Sequence, residues 1–150
     1  MERIFVACDP ENIFGDARRH ELDLTRTIDA TVDVLRGLER RGILLGGIAI
    51  GDLDIVTKTA FALATARIRP QIRRTSGENA ADLEIEDYVV RAMPGSTTTL
   101  VIASGDGIFA RLVVQMRNRG LRVDIVAVPG TVSHELYRAA DRFIPIDVRP

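Results

Sequence analysis

The sequence predicts an α/β fold in which a mostly parallel sheet is covered by helices on both faces. Short runs rich in β-branched and aliphatic residues alternate with helix-like segments, and the connections between them are short. The chain has 150 residues, 46% of them apolar. A chain of this length buries roughly 68–70% of its extended surface on folding. No linker or repeat divides it, so we expect residues 1–150 to form a single domain.

Aliphatic runs mark the strands. Five are predicted: Ile4–Ala7, Leu44–Ile50, Thr98–Ala103, Arg122–Val128 and Arg142–Ile146. A further short strand is predicted around residues 71–73, within the less regular segment 67–77. Pro145 indicates that the last strand lies at an edge of the sheet, because proline cannot donate to a strand ladder.

Apolar residues at helical spacing mark the helices. Ile28, Val32, Leu35 and Leu38 recur every three or four residues and predict an amphipathic helix, with Gly42 suited to its C-terminal end. Four more helices are predicted over residues 55–66, 80–93, 107–118 and 132–140.

Composition excludes several classes of protein. The net charge of −1 argues against a surface that is basic throughout. A lone cysteine, Cys8, rules out an intramolecular disulfide and a four-cysteine zinc module, and we expect it to be a buried structural thiol. No apolar run approaches the ~20 residues needed to span a bilayer. We therefore expect a cytoplasmic protein without a membrane partner.

Three aspartates fall where ligands bind in α/β proteins, beyond the carboxyl ends of strands. Asp9 follows the first strand, Asp106 follows the strand that ends at Ala103, and Asp82 opens a helix. Two carboxylates ~4 Å apart repel by about 4 kcal/mol at an effective dielectric of 20. A hard dication such as Mg²⁺ or Mn²⁺ removes that repulsion. The alternative is that the three residues only cap or support helix N-termini.

The motifs that contain these aspartates resemble those of the NYN family, which belongs to the PIN-like nuclease superfamily. The resemblance runs from about residue 3 to 147. It rests on four segments in order: Asp9-Pro10-Glu11-Asn12, Asn79-Ala80-Ala81-Asp82, Ser104-Gly105-Asp106 and residues 140–144. It implies a Rossmann-like α/β/α sandwich and metal-dependent endoribonuclease chemistry. In such a site Asp9, Asp82 and Asp106 would bind the metal.

The resemblance also implies roles for two polar neighbours of these aspartates. Asn12 would orient Asp9 or a phosphate oxygen, and Ser104 would donate a hydrogen bond beside Asp106. The alternative for Asn12 is a turn or cap residue, and the alternative for Ser104 is a hydrogen-bonding role at a helix N-terminus.

The chain departs from the family pattern at two positions. Family members usually carry a second aspartate two residues after the one that corresponds to Asp106, and this chain has Ile108. The family also tends to place an acidic residue six positions after Asp82, where this chain has a tyrosine. Glu86 and Asp87 are the candidates for a fourth carboxylate, and Glu86 shares the helical face of Asp82.

Basic residues near the motifs predict a track for a nucleic-acid backbone. Arg18 and Arg74 are the predicted substrate-binding members, and the wider set comprises Arg19, His20, Lys58, Arg67, Arg69 and Arg73. The alternative for each is a solvated surface charge. Phe14 is the candidate for stacking on a base, with a role as a buried loop anchor as the alternative.

The sequence thus favours a ribonuclease that uses Mg²⁺ or Mn²⁺ and acts on single-stranded or structured RNA. A second hypothesis, favoured by Ile108, is a catalytically impaired RNA-binding or protein-interaction domain that keeps the fold. A third is a phosphotransferase with Asp9 as nucleophile, although Lys58 is the chain's only lysine. Exposed sheet edges make a homodimer a further expectation.

Overall fold

Six parallel strands form the central sheet of the protein, which we describe from a computed structural model. The structure describes residues 1–148, except the side chain of Arg19. The strands are β1 (Glu2–Cys8), β2 (Gly42–Gly51), β3 (Ile68–Ile72), β4 (Thr99–Ala103), β5 (Arg122–Ala127) and β6 (Arg142–Pro145). Their order in the sheet is β3-β2-β1-β4-β5-β6. The predicted parallel sheet is confirmed, and the strand that contains Pro145 lies at its edge.

The direction in which successive strands are added to the sheet changes between β1 and β4. These two strands are neighbours, with Ile4 paired to Thr99 and Cys8 paired to Ala103. Strands β2 and β3 extend to one side of β1, whereas β5 and β6 extend to the other side of β4. Such a topological switch point opens a crevice at the carboxyl ends of the two strands.

Helices cover both faces of this sheet. They are α1 (Pro10–Phe14), α2 (Glu21–Gly37), α3 (Leu53–Ala64), α4 (Ala80–Ala92), α5 (Ala110–Asn118) and α6 (His134–Ala139). Right-handed crossovers place α1, α2 and α3 on one face and the other three on the opposite face. Accordingly α1, α2 and α3 contact one another, and α5 contacts α6. The predicted α/β/α sandwich is confirmed. None of the helices within residues 1–148 is both long and apolar enough to cross a bilayer.

The hydrophobic core lies on both sides of the central strands. Every residue of β4 is buried, as expected for a parallel strand with helices on both faces. Phe14 and Phe109, the largest fully buried side chains, follow β1 and β4 respectively. Each lies six residues beyond the end of its strand, so its burial anchors the segment that carries Asp9 or Asp106.

Helix α2 begins earlier and buries a different stripe than the apolar spacing predicts. Its buried residues are Leu24, Thr27, Thr31 and Leu35, whereas Ile28 and Val32 are only half-buried. The hydroxyl of Thr27 donates to the Asp23 carbonyl at 2.9 Å, and that of Thr31 donates to the Thr27 carbonyl at 2.7 Å. Threonine can therefore occupy the core-facing stripe, because its only polar group is satisfied within the helix.

Gly42 does not end this helix, and that prediction is wrong. The helix stops at Gly37 and a single 3₁₀ turn, Leu38–Arg40, follows it. Gly42 instead opens β2, where a Cβ atom would lie 2.2 Å from the backbone oxygen of Glu2. The glycine is required by the close approach of two strands rather than by a helix terminus.

Candidate metal centre

Asp9, Asp82 and Asp106 converge at the switch point. Each offers a carboxylate oxygen, and these three oxygens all lie within 4.8 Å of one another. Asp9 follows β1, Asp106 lies three residues beyond the end of β4, and Asp82 is in the first turn of α4. Residues separated by 73 and 24 positions in the sequence therefore meet at one edge of the sheet.

Asp9 is almost completely buried and uses both carboxylate oxygens. Its Oδ1 accepts a hydrogen bond from the backbone N–H of Asn12 at 3.3 Å, which caps α1. Its Oδ2 accepts from the hydroxyl of Ser104 at 3.2 Å. The Asp9 side chain thus both caps α1 and contributes to the carboxylate cluster.

Ser104 links two of the three aspartates. Its fully buried hydroxyl donates to Asp9 and accepts from the backbone N–H of Asp106 at 3.1 Å. The Asp106 carboxylate then caps the 3₁₀ turn Gly107–Phe109 by accepting from the Ile108 N–H at 3.0 Å. The hydroxyl therefore holds Asp9 and Asp106 in a fixed relation to each other.

The side chain of Asn12 fixes the loop after β4. Its Oδ1 accepts from the Gly105 N–H at 2.8 Å. Gly105 must be glycine, because a Cβ atom there would lie 2.4 Å from the backbone oxygen of Thr131. Asn12 thus reaches across from the β1 side of the crevice to the β4 side.

Burial, together with neighbouring negative charge, raises the pKa values of Asp9 and Asp82. Burial, followed by the negative charge of Asp82, raises the pKa of Asp9 well above its ordinary range. Burial, together with the charge of Asp106, raises the pKa of Asp82. The cluster therefore holds negative charge at a cost that a dication would remove. Three hard oxygen donors within 4.8 Å of one another fit Mg²⁺ or Mn²⁺.

The cluster forms one wall of a cleft of about 380 Å³. The remaining wall includes two carboxylates that the sequence analysis did not single out, Glu11 and Asp52. Glu11 accepts from the Asp52 N–H at 3.1 Å, and Asp52 caps α3. Asp52 directly follows β2, and this position at the carboxyl end of a strand is the signal for it in the sequence. Glu11 stands between Asp9 and Asn12 in the first motif.

The pKa values of Glu11 and Asp52 are shifted in opposite directions. Burial raises the pKa of Glu11. The backbone N–H of Ile55 lowers the pKa of Asp52, which also lies 3.7 Å from the guanidinium of Arg18. The cleft therefore carries a second, separate acidic pair beside the three aspartates.

The structure places the predicted basic residues unevenly. Arg18 lies at the rim, paired with Asp52. Arg74 is exposed and does not line the cleft, and its backbone N–H donates to Glu84 at 2.8 Å. The neighbouring Arg73 lines the cleft instead, because it lies one position beyond β3 and alternate residues of a strand point to opposite faces.

The other members of the expected basic track lie elsewhere. Lys58 pairs with Asp54 at 3.2 Å on α3, and Arg69 lies over the ring of Tyr88 at 5.9 Å. Arg67 directly precedes β3, at the amino end of the sheet, opposite the cleft. Within residues 1–148, leaving aside the Arg19 side chain, the track near the cleft reduces to Arg18 and Arg73.

Glu86 and Asp87 are not brought into the cluster. Glu86 accepts two hydrogen bonds from the guanidinium of Arg111, at 3.0 and 3.1 Å. Asp87 is exposed and pairs with Arg91 on the same helix. Neither lines the cleft. The predicted fourth carboxylate thus has no support from the geometry at either position.

Two apolar residues beside the motifs are buried. Phe14 has no exposed surface and serves as a loop anchor, so it offers no ring for base stacking. Cys8 is buried, and desolvation raises the pKa of its thiol. Phe14 is therefore a buried loop anchor, which is the alternative to base stacking, and Cys8 is a buried thiol as the sequence predicts.

Comparison with known proteins identifies the family. The NYN domain model matches residues 3–147. No curated protein matches the chain. Among solved structures, the chain is similar to a protein of unknown function from Vibrio parahaemolyticus, with a TM-score of 0.75 and 20% identity over 97% of this chain and 93% of that one. The family match spans nearly the whole chain, which therefore belongs to the NYN domain family of the PIN-like nuclease superfamily.

Proposed function

We propose that the protein is a metal-dependent ribonuclease that cleaves phosphodiester bonds of RNA. The observation that supports this most strongly is the meeting of three carboxylates within 4.8 Å at the switch point of an NYN domain. Asp9, Asp82 and Asp106 would hold Mg²⁺ or Mn²⁺. When bound, such an ion lowers the pKa of water and neutralises charge on the reacting phosphate.

Other residues of the chain would hold the aspartates in position and supply positive charge near the cleft. Ser104 holds Asp9 and Asp106 in place, and Asn12 holds the loop between them. We propose both as positioning residues rather than groups that contact the reacting atoms. Arg18 pairs with Asp52 and Arg73 lines the cleft, and we propose that these two cations attract the RNA backbone.

A second candidate function is supported by Ile108. Its side chain is half-buried and packs against the hydrophobic core, so it offers no oxygen where relatives usually have a second aspartate. The chain would then be an RNA-binding or protein-interaction domain with impaired catalysis. The phosphotransferase hypothesis gains no comparable support, because Lys58 pairs with Asp54 and does not line the cleft.

We propose further that residues 1–150 act as one domain in the cytoplasm and that RNA, single-stranded or structured, is the partner. A homodimer also remains a proposal, which sedimentation velocity tests.

RNA cleavage tests the proposed function. The chain is incubated with end-labelled single-stranded RNA and Mn²⁺, beside Asp106→Asn and the control Asp29→Asn on the exposed face of α2. Asparagine at position 106 keeps the oxygen that caps the 3₁₀ turn and removes only the charge. We expect cleavage by the wild type and the control, and a loss of at least about 100-fold in Asp106→Asn. Binding without cleavage by all three proteins would instead support the second candidate.

A further inference from the structure

A second cavity adjoins the acidic cleft on the other side of Asn12. It has a volume of about 370 Å³ and lies beyond the carboxyl ends of β1 and β5. Asn12 contributes to the walls of both cavities. We call this cavity the side pocket. The two cavities are therefore neighbours that share the Asn12 side chain.

The side pocket combines apolar and polar lining residues. Ile13, Val128 and Val148 are buried or half-buried and give it apolar walls. Its exposed lining residues, which we call its rim, are Asp16, Asp23, Arg26 and Thr131. Asp23 and Arg26 lie on the first two turns of α2. Within the described part of the chain, neither of these two side chains has an ion-pair partner. Small-molecule pockets of about 300–1,000 Å³ typically combine such apolar walls with a few convergent polar groups.

The combination suits a nucleobase. A base has two apolar faces for the walls and a hydrogen-bonding edge for the rim, and sequence-specific RNA recognition reads unstacked bases in this way. We propose that the side pocket receives one base of the RNA strand beside the cleavage site, and that guanine fits it best. This inference rests on the proposed function.

The choice of guanine follows from Asp23 and Arg26, the charged pair that α2 contributes to the rim. A carboxylate only accepts and a guanidinium only donates. Guanine presents two adjacent donors, the ring N–H and the amino group, which match both oxygens of Asp23. Its neighbouring keto oxygen accepts from Arg26. Adenine and cytosine each place a ring acceptor beside their amino donor, and uracil has a single N–H between two carbonyls.

Methyl NMR with mononucleotides tests the pocket without any cleavage. The full chain, free of divalent cations, is titrated with GMP, IMP, AMP, CMP and UMP while the methyl groups of Ile13, Val128 and Val148 are followed. We expect GMP to shift these methyl groups and to bind about tenfold more tightly than IMP, which lacks the amino donor. Equal shifts with all five nucleotides, or shifts only elsewhere, would overturn the proposal.

Matched variants on α2 localise the effect. Asp23→Asn and Arg26→Ala should each weaken GMP binding by about tenfold. The controls Asp29→Asn and Arg36→Ala change exposed residues of the same helix outside the pocket and should leave binding unchanged. Equal effects of variants and controls would overturn the pocket assignment.

A short RNA that contains one guanosine separates an RNA base from a free nucleotide. Shifts with this RNA, and their loss when inosine replaces the guanosine, support the proposal. Shifts with GMP but none with the RNA overturn the assignment to RNA. Cleavage of RNA without methyl shifts or base preference would overturn the guanine pocket and still support the proposed nuclease activity. Methyl shifts without cleavage would overturn the nuclease activity and still support a pocket that binds a base.

Discussion

At the scale of single residues, Asp9 combines a structural task with an electrostatic cost. Its carboxylate caps α1 and accepts from Ser104, yet it is buried beside Asp82. Because its pKa is raised in the folded state, the ionised form opposes folding. The stability of the metal-free protein should therefore fall as pH rises from the ordinary carboxyl range through the raised pKa of Asp9.

Asp9→Asn should remove this cost. Asparagine keeps an oxygen for the cap but carries no charge, so the metal-free variant should be more stable than the wild type by about 2 kcal/mol at neutral pH. Its stability should also depend less on pH. Thermal unfolding in EDTA between pH 4 and 8 measures both effects, with the exposed Asp29→Asn as control. A variant less stable than the wild type at pH 8 would contradict this account of the cluster.

Ile108→Asp reverses the main departure from the family pattern. A fourth carboxylate two residues from Asp106 should strengthen binding of Mn²⁺ by about tenfold or more and raise any RNA cleavage. It should also destabilise the metal-free fold by about 1–3 kcal/mol, since Ile108 packs against the core. Ile108→Asn, similar in size and uncharged, is the control. Equal Mn²⁺ affinity in the two variants would show that position 108 does not face the ion.

At the scale of elements, an ionic network joins strands at the edge of the sheet opposite the cleft. Arg41 lies 2.8 Å from Glu2 of β1 and 2.7 Å from Asp124 of β5, and Asp124 is fully buried. Thr99 of β4 donates to Glu2 at 2.7 Å. Three adjacent strands are therefore tied together by groups that the sequence pattern did not single out.

Arg41→Ala should destabilise the protein by about 2–4 kcal/mol, because Asp124 then stays buried with Arg122 as its one remaining ion-pair partner among the described residues. The hydrogen bond from Arg41 chiefly lowers the pKa of Glu2, from its ordinary value of 4.5 to about 2. The stability that Glu2 contributes is present above pH 4.5 and is lost as pH falls towards 2. The variant should lose less stability over that interval. Urea unfolding at several pH values measures both effects, and the exposed Arg40→Ala should match the wild type.

The strands could be predicted more closely than the helix boundaries. Each predicted run coincides with an observed strand because aliphatic residues dominate both faces of a buried parallel sheet. Strand β3 begins at Ile68, earlier than predicted, because Arg67, Arg69 and Pro70 interrupt the aliphatic pattern that marks the other strands. Helix α1 was not predicted because its five residues are too few to show a periodicity.

At the scale of the whole molecule, the fold brings five carboxylates and two arginines to one cleft. The sequence motifs pointed to Asp9, Asp82 and Asp106. They did not point to Glu11 and Asp52, whose place depends on where β2 ends relative to β1. They also could not show that Arg111 and Arg91 pair with Glu86 and Asp87, since such pairing depends on side-chain contacts within α4 and across to α5.

This charge balance predicts weak dependence of RNA binding on salt. An acidic cleft with Arg18 and Arg73 at hand can neutralise about two phosphates. At about −0.7 per phosphate for single strands, a plot of log affinity against log salt should have a slope of about −1.4. Fluorescence anisotropy with Asp106→Asn and labelled RNA, from 50 to 300 mM salt (about a sixfold range), measures it. A slope steeper than about −5 would indicate a basic surface outside the cleft.

Binding of Mn²⁺ tests the central claim most directly. In an EPR titration only the unbound ion gives a strong signal in solution, so the missing signal counts the ions that the protein holds. We predict that the wild type and Asp29→Asn bind Mn²⁺, whereas Asp82→Asn and Asp106→Asn bind it at least about tenfold more weakly. If the wild type holds no Mn²⁺, or if all four proteins hold it equally, the three carboxylates do not form a metal centre.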